Sequence, residues 1–195
     1  LILFISFPIV TFYLIILILI IIFRKKFTIQ SKIIALYKTK IGLKFMERTA
    51  TSFPRLIKGI SFIGIIVGYI GMIFIFYTLL NGVYILLTVP DSPSMIAPVI
   101  PGVKIPGSPL FVPFWYGIIA IFIVVLVHEF SHGIVAIANK MKIKSSGVGM
   151  FAIFPIAFVE PDENQLKKSK KKHQLSVFSA GPFSNIILAA LVFII

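Results

Sequence analysis

The feature that most limits how this chain can fold is a set of long apolar stretches without charge. Residues 1–23, 59–89 and 176–195 contain no Lys, Arg, Asp or Glu. An α-helix rises about 1.5 Å per residue, so roughly 20 residues cross the ~30 Å hydrocarbon core of a bilayer. With 58% hydrophobic residues and a mean hydropathy of +1.06, the composition excludes an ordinary water-soluble surface.

We predict an all-α polytopic membrane protein with about four transmembrane helices. The predicted spans are residues 1–23, 59–89, 115–139 and 176–195. The corresponding division is 1–58 for the first span and a basic loop, 59–110 for the second span and an external loop, and 111–195 for a catalytic membrane core. Gly64 and Gly68 in the second span form a small-xxx-small pattern that favours close helix packing.

The positive charges predict the orientation of the spans. The net charge is +13, and of the 19 Lys and Arg residues ten lie within 24–58, eight within 140–172, and one is Lys104. Loops rich in Lys and Arg remain cytoplasmic, so we expect loops 24–58 and 140–175 in the cytoplasm of a multi-pass protein of the cell membrane. This placement favours the lipid bilayer as a partner and argues against nucleic acid. Residues 28–58 fit either an amphipathic segment along the headgroups or a solvated loop.

Two segments between the spans differ from the rest. Residues 90–113 contain seven prolines, which exclude a helix or a central strand and indicate an external loop. Residues 147–161 are apolar, contain Gly147, Gly149 and Pro155, and are too few to span as a helix. They predict a short re-entrant β hairpin packed against the bundle, with a short interfacial helix as the alternative.

The third span contains the chemically active residues, in the sequence VHEFSHG. His128 and His132 lie four residues apart, so on a helix both imidazoles share one face, with Glu129 beside them. Zinc accepts such ligands and keeps a position for water, from which a carboxylate can take a proton. The chain has no cysteine, so thiolate chemistry is excluded.

The depth of this motif in the membrane strengthens its interpretation. Eight residues separate His132 from Lys140, which places the motif about 12 Å below the cytoplasmic boundary. Strongly charged groups near the centre of a bilayer cost ~2.5–3.5 kcal/mol on insertion, so this polar cluster needs a reason. The structural alternative is a polar cluster that joins helices by hydrogen bonds. Phe130, Ser131 and Gly133 are expected to serve packing.

The motifs together resemble the site-2 protease family of intramembrane zinc metalloproteases. HEFSHG in a membrane helix is followed by GVGMFAIFPIAFVEPDE and then by SAGPFSN, over roughly residues 115–195. The resemblance implies that His128 and His132 bind one Zn²⁺ per chain, that Glu129 is the general base, and that Asn185 projects toward the site for substrate binding or transition-state support. It also implies transmembrane protein substrates cleaved in regulated intramembrane proteolysis.

The third zinc ligand is missing from this sequence. The family supplies it from an aspartate in an NxxPxxxLDG-type motif on a later helix, and no such motif precedes Ile195. We therefore expect the ligand beyond Ile195 and take the chain as a segment of a longer protein. The acidic and histidine residues near the basic loop fit a solvated loop better: Glu160, Asp162, Glu163 and His173.

Two other functional classes remain open at this point. In a transporter or metal carrier, the intramembrane His and Glu would form an ion path. In a catalytically inactive scaffold, the chain would be complete as it stands. Glu129→Gln separates these, because a protease would lose cleavage while it retained zinc.

Overall fold

The computed structural model describes residues 7–23, 27–30, 34–89, 100–104, 111–151 and 154–194. The helices within these ranges are α1 (Phe7–Ile22), α2 (Leu43–Ser52), α3 (Pro54–Thr88), α4 (Phe114–Ala138), α5 (Glu163–Lys168) and α6 (Lys171–Ile194). The strands are β1 (Phe27–Gln30), β2 (Ile34–Thr39), β3 (Ile143–Phe151) and β4 (Phe154–Pro161).

Among the described residues, three helices are long and apolar enough to cross a membrane: α3, α4 and α6. They correspond to the predicted second, third and fourth spans. The described part of the predicted first span is α1, which has 16 residues, and residues 1–6 lie outside the described ranges. The predicted count of four spans is therefore confirmed for three. Most of the predicted proline-rich loop, 90–99 and 105–110, also lies outside the described residues.

Apolar side chains cover the outer surface of α3. Ile73, Phe74 and Tyr77 are each at least 65% exposed. A contiguous apolar surface of this kind is not stable in water and is normally covered by lipid or protein. The helix thus carries the surface expected of a membrane span.

Helix α6 begins earlier than predicted, at Lys171 instead of Ser176. The prediction placed the boundary where the apolar residues begin. The sequence KKHQL contains neither Gly nor Pro to stop a helix, and Lys and Gln are good helix formers. The Nζ atom of Lys172 lies 4.3 Å from the ring centroid of Phe62 on α3, so the basic end of α6 packs as a cation–π contact.

The strands form one antiparallel sheet in the order β1-β2-β3-β4. The predicted hairpin is present as β3 and β4, and β3 starts before Gly147. Residues 27–39 differ from expectation, because β1 and β2 extend this hairpin to four strands. A Cβ at Gly147 would collide with the carbonyl oxygen of Tyr37, so the absence of a side chain allows β2 to pair closely with β3.

Residues 24–69 and 123–195 form one compact unit, and residues 1–23 and 70–122 form another. The core of the first of these joins α4 and α6 through Val135, Ala136, Val177 and Ala180, with Met141 after α4. At Gly64 a Cβ would meet the ring of Phe183, so this glycine brings α3 against α6, as the small-xxx-small pattern predicts. In the other unit, the rings of Phe12 and Phe114 meet edge to face at 5.5 Å.

Candidate metal and catalytic site

The two histidines of HEFSHG lie on one face of α4. Their ring centroids are 4.8 Å apart, and both side chains are partly buried. Residues four apart on a helix are one turn apart on the same face, which accounts for the pairing. The structure therefore brings His128 and His132 together as the spacing predicts.

Helix α6 faces these histidines with residues that are also spaced by four: Val177, Gly181 and Asn185. Nδ1 of His132 lies 2.6 Å from the carbonyl oxygen of Val177, and since a carbonyl only accepts, the ring nitrogen donates. Nδ1 of His128 lies 3.1 Å from Nδ2 of Asn185. Each ring is thus held at Nδ1 by the same face of α6.

Gly181 lies between these two contacts and leaves room for the other ring nitrogens. A Cβ at this position would contact Nε2 of both His128 and His132. The two Nε2 atoms therefore point into one space that any side chain at position 181 would fill. Imidazole nitrogens are preferred zinc ligands, and a proton held at Nδ1 leaves the lone pair at Nε2. The pair fits two positions of a zinc site.

Glu129 is connected to the sheet. Its Oε2 accepts a hydrogen bond of 3.0 Å from the backbone N–H of Val159 on β4. Gly133, one turn along α4, makes this approach possible, because a Cβ there would meet Met46 of α2 and the Val159 side chain. Met46 is fully buried. Gly133 therefore serves packing, as predicted, and the packing brings β4 to the carboxylate.

The remaining motif residues also make local contacts. The ring of Phe130 lies against Gly42 and pairs with Phe45 at a centroid distance of 6.1 Å. The hydroxyl of Ser131 donates to the carbonyl of Val127 at 2.7 Å, within its own helix. These contacts are of the packing and hydrogen-bonding kind that the sequence predicts for the two residues.

Glu160 lies in β4 and not in the predicted solvated loop, and both it and Asp162, which follows β4, have partners on the sheet or on α5. Lys38 donates to Glu160 at 2.7 Å, which holds the pKa of Glu160 below its ordinary value, and Ser145 adds to the effect. The backbone N–H of Gln165 lowers the pKa of Asp162 in the same way. Within the described residues, no group of three His, Cys, Asp or Glu side chains could hold a metal ion. An aspartate beyond Ile195 stays the predicted third ligand.

Three contributors to the site went unrecognised in the sequence. Gly181 could have been found, since it precedes Asn185 by one helical turn within GPFSN. The carbonyl of Val177 and the N–H of Val159 act through the backbone, so their side chains carry no signal. Only the packing of α6 and β4 on α4 identifies them.

Comparisons with known proteins found both similar sequences and a family match. The chain is 34% identical over 162 residues to an uncharacterized protein of Methanocaldococcus jannaschii, an alignment that covers 80% of this chain. The chain spans about two fifths (41%) of the length of that relative. No solved structure matches the chain. Residues 116–195, which hold the HEFSHG helix, the hairpin and the GPFSN helix, match peptidase family M50, and this confirms the predicted resemblance to the site-2 protease family.

Proposed function

We propose that this chain is the catalytic membrane core of an intramembrane zinc metallopeptidase that hydrolyses peptide bonds in transmembrane segments of protein substrates. The family match implies a metallopeptidase with protein substrates. The observation that carries the finer proposal is the convergence of the His128 and His132 Nε2 atoms beside Gly181, within a helix able to span the membrane.

His128 and His132 would hold the zinc ion, and an aspartate beyond Ile195 would complete the site. When bound, zinc supplies Lewis acidity, which acidifies water and polarises a peptide carbonyl. The Nδ1 contacts to Val177 and Asn185 fix the orientation of both imidazole rings. Preorganised ligands of this kind avoid the cost of ordering two side chains on binding.

Glu129 would move the proton. Its Oε2 is held by the Val159 N–H, and its second oxygen accepts a proton from water as the water oxygen attacks the carbonyl carbon. The same carboxyl then donates that proton to the amide nitrogen as the C–N bond breaks. The products are a carboxylic acid and an amine, which exchange a proton to give a carboxylate and an ammonium group, so one water is consumed for each bond cleaved.

The outer edge of β4 would hold the substrate. Strand order places β4 at the edge of the sheet. Because the Val159 N–H points to Glu129 and strand residues alternate, the Ala157 N–H points outward as well. The next outward positions are Pro155 and Pro161, which have no N–H to donate. An unwound substrate could add to this edge as a strand and satisfy its backbone in lipid while it passes Glu129.

Asn185 would support the transition state. Its Nδ2 lies against Nδ1 of His128 and its Oδ1 is buried without a hydrogen-bond partner among the described residues, so the side chain would have to turn toward a substrate in order to donate to it. An amide N–H aimed at a peptide carbonyl oxygen stabilises the negative charge that develops there. Mutation of such a donor costs about 10²–10³ in kcat in other enzymes.

The test compares wild-type and Glu129→Gln full-length protein in proteoliposomes. The probe is a tagged single-span substrate with Gly and Pro in its membrane helix. We expect Glu129→Gln to slow cleavage by about 10²–10⁴-fold, the usual contribution of acid–base catalysis, with unchanged zinc content by elemental analysis. Replacing the helix-breaking residues of the substrate with Leu should slow cleavage, because the helix must unwind first.

Other results would favour the rival functions. Zinc transport into vesicles without cleavage would indicate a carrier. A cellular function that persists in Glu129→Gln would indicate a scaffold. Absence of bound zinc from the intact wild-type protein would overturn the metallopeptidase proposal.

A further inference from the structure

The amide of Asn185 has an unusual hydrogen-bonding environment. Its Nδ2 lies 3.1 Å from Nδ1 of His128, while its Oδ1 is buried and has no hydrogen-bond partner among the described residues. A buried polar atom without a partner is energetically costly, because it has lost its hydrogen bonds to water. The amide therefore needs an explanation that its neighbours on α6 do not provide.

The two orientations of this amide have opposite consequences for His128. If Nδ2 donates to Nδ1, the proton of a neutral ring sits on Nε2, and Nε2 has no lone pair for a metal. If the amide is turned by 180° about its terminal bond, Oδ1 accepts the proton at Nδ1 and the lone pair moves to Nε2. His132 already has the second arrangement, because the Val177 carbonyl can only accept.

We infer that Asn185 is a positioning residue for His128: its Oδ1 accepts the Nδ1 proton and so directs the Nε2 lone pair to the space beside Gly181. The inference rests on the proposed metallopeptidase function and gives the GPFSN motif a second role in it.

The geometry of α6 explains why an asparagine suits this position. Val177, Gly181 and Asn185 lie on one face, and they meet His132, both Nε2 atoms and His128 in that order. His132 is contacted by a backbone carbonyl of α6, whereas His128 is contacted by the side chain at position 185. The side chain must offer an acceptor, and the amide offers one without adding a charge in the membrane.

The test measures zinc affinity of the full-length protein by competition with a chelating dye, in three variants. Asn185→Leu removes the acceptor at similar size, and Asn185→Asp keeps an acceptor but removes the NH₂ group. Ser184→Ala is the control, since that hydroxyl donates to the carbonyl of Gly181 in its own helix. Absorption spectra of the cobalt-loaded proteins report the ligand geometry independently of activity.

We expect Asn185→Leu to weaken zinc binding by about 10–100-fold, the usual effect of losing the partner of a ligating histidine, and to alter the cobalt spectrum. Asn185→Asp and Ser184→Ala should retain wild-type zinc affinity, while Asn185→Asp loses peptidase activity. Equal zinc affinity in wild type and Asn185→Leu would overturn the inference, and so would a loss in Asn185→Asp as large as that in Asn185→Leu.

Two further outcomes are distinguishable. If Asn185→Leu does not fold, Asn185→Asp decides alone, because weaker zinc binding by that variant contradicts an acceptor role. If the wild-type protein binds no zinc, the proposed function fails, and this inference fails with it.

Discussion

At the scale of single residues, the space beside Gly181 is as important as the side chains around it. A metal ligand pair needs room for the ion between its nitrogens, and a glycine on the facing helix provides that room. Glycine inside a helix costs roughly 0.5–1 kcal/mol relative to alanine. Its presence in α6 is therefore explained by the site and not by helix stability.

Gly181→Ala should consequently weaken zinc binding, on the order of 10–100-fold, because the new Cβ would displace Nε2 of both histidines. The measurement is zinc affinity of the full-length protein. Gly59→Ala is the matched control, since nothing lies within 4 Å of a Cβ there and the helix gains propensity. Unchanged zinc affinity in Gly181→Ala would show that the ion does not bind in this space.

At the scale of elements, the sheet positions Glu129 through β4, and an ion pair crosses the sheet near that point. Lys38 of β2 and Glu160 of β4 pair at 2.7 Å, with each side chain 35% exposed. The hydrogen bond from Lys38 lowers the pKa of Glu160 in the folded protein. The folded state thus binds fewer protons at this group than the unfolded state.

The stabilising contribution of Glu160 should therefore be complete above the ordinary carboxyl pKa, near 4.5, and should disappear as the pH falls through the lowered value. We expect Glu160→Gln to be less stable than wild type at pH 7 by about 0.2–1 kcal/mol, the range for exposed pairs, and equally stable in strong acid. Thermal unfolding across pH measures this. Lys38→Met, the matched partner variant, should lose a similar amount of stability at pH 7. If Glu160→Gln were still less stable than wild type in strong acid, the ion pair would not be the cause.

Strand β4 also has an outer edge that is not paired with another described strand. Ala157→Pro should slow substrate cleavage, since it removes an outward N–H that we assign to the substrate, while the pairing with β3 uses the alternate residues. Zinc content should stay unchanged. Ala157→Ser keeps the N–H and should cleave at the wild-type rate. Equal cleavage by the proline and serine variants would exclude strand addition at this edge.

At the scale of the whole molecule, the orientation in the membrane is open to a direct test. The 195 residues contain no cysteine, so in a full-length protein without other cysteines a single introduced cysteine reports its own location. With a membrane-impermeant thiol reagent applied to intact cells, Lys104→Cys should be labelled and Lys168→Cys should be labelled only after lysis. Labelling of Lys168→Cys in intact cells would reverse the proposed orientation.

The sequence by itself determined the class of protein and the central motif. Runs of apolar residues and a helical spacing of four are local properties, and both depend only on neighbouring residues. For that reason α3, α4 and the pairing of His128 with His132 were all predictable. Residues 27–30 and 34–39 were not, because FTIQ has only four residues and IALYKT lacks strict alternation. They are strands because β1 pairs with β2, and β2 pairs with the glycine-containing β3.

Only the tertiary structure decided how the motif is completed. The Val177 carbonyl, the space at Gly181 and the amide of Asn185 reach the histidines across two helices, and the Val159 N–H reaches Glu129 from a strand. Apart from Asn185, which the GPFSN motif indicated, these contacts use backbone groups or the absence of a side chain, and neither has a residue-specific pattern. They depend on how the elements pack, and packing brings together groups that are distant in the chain.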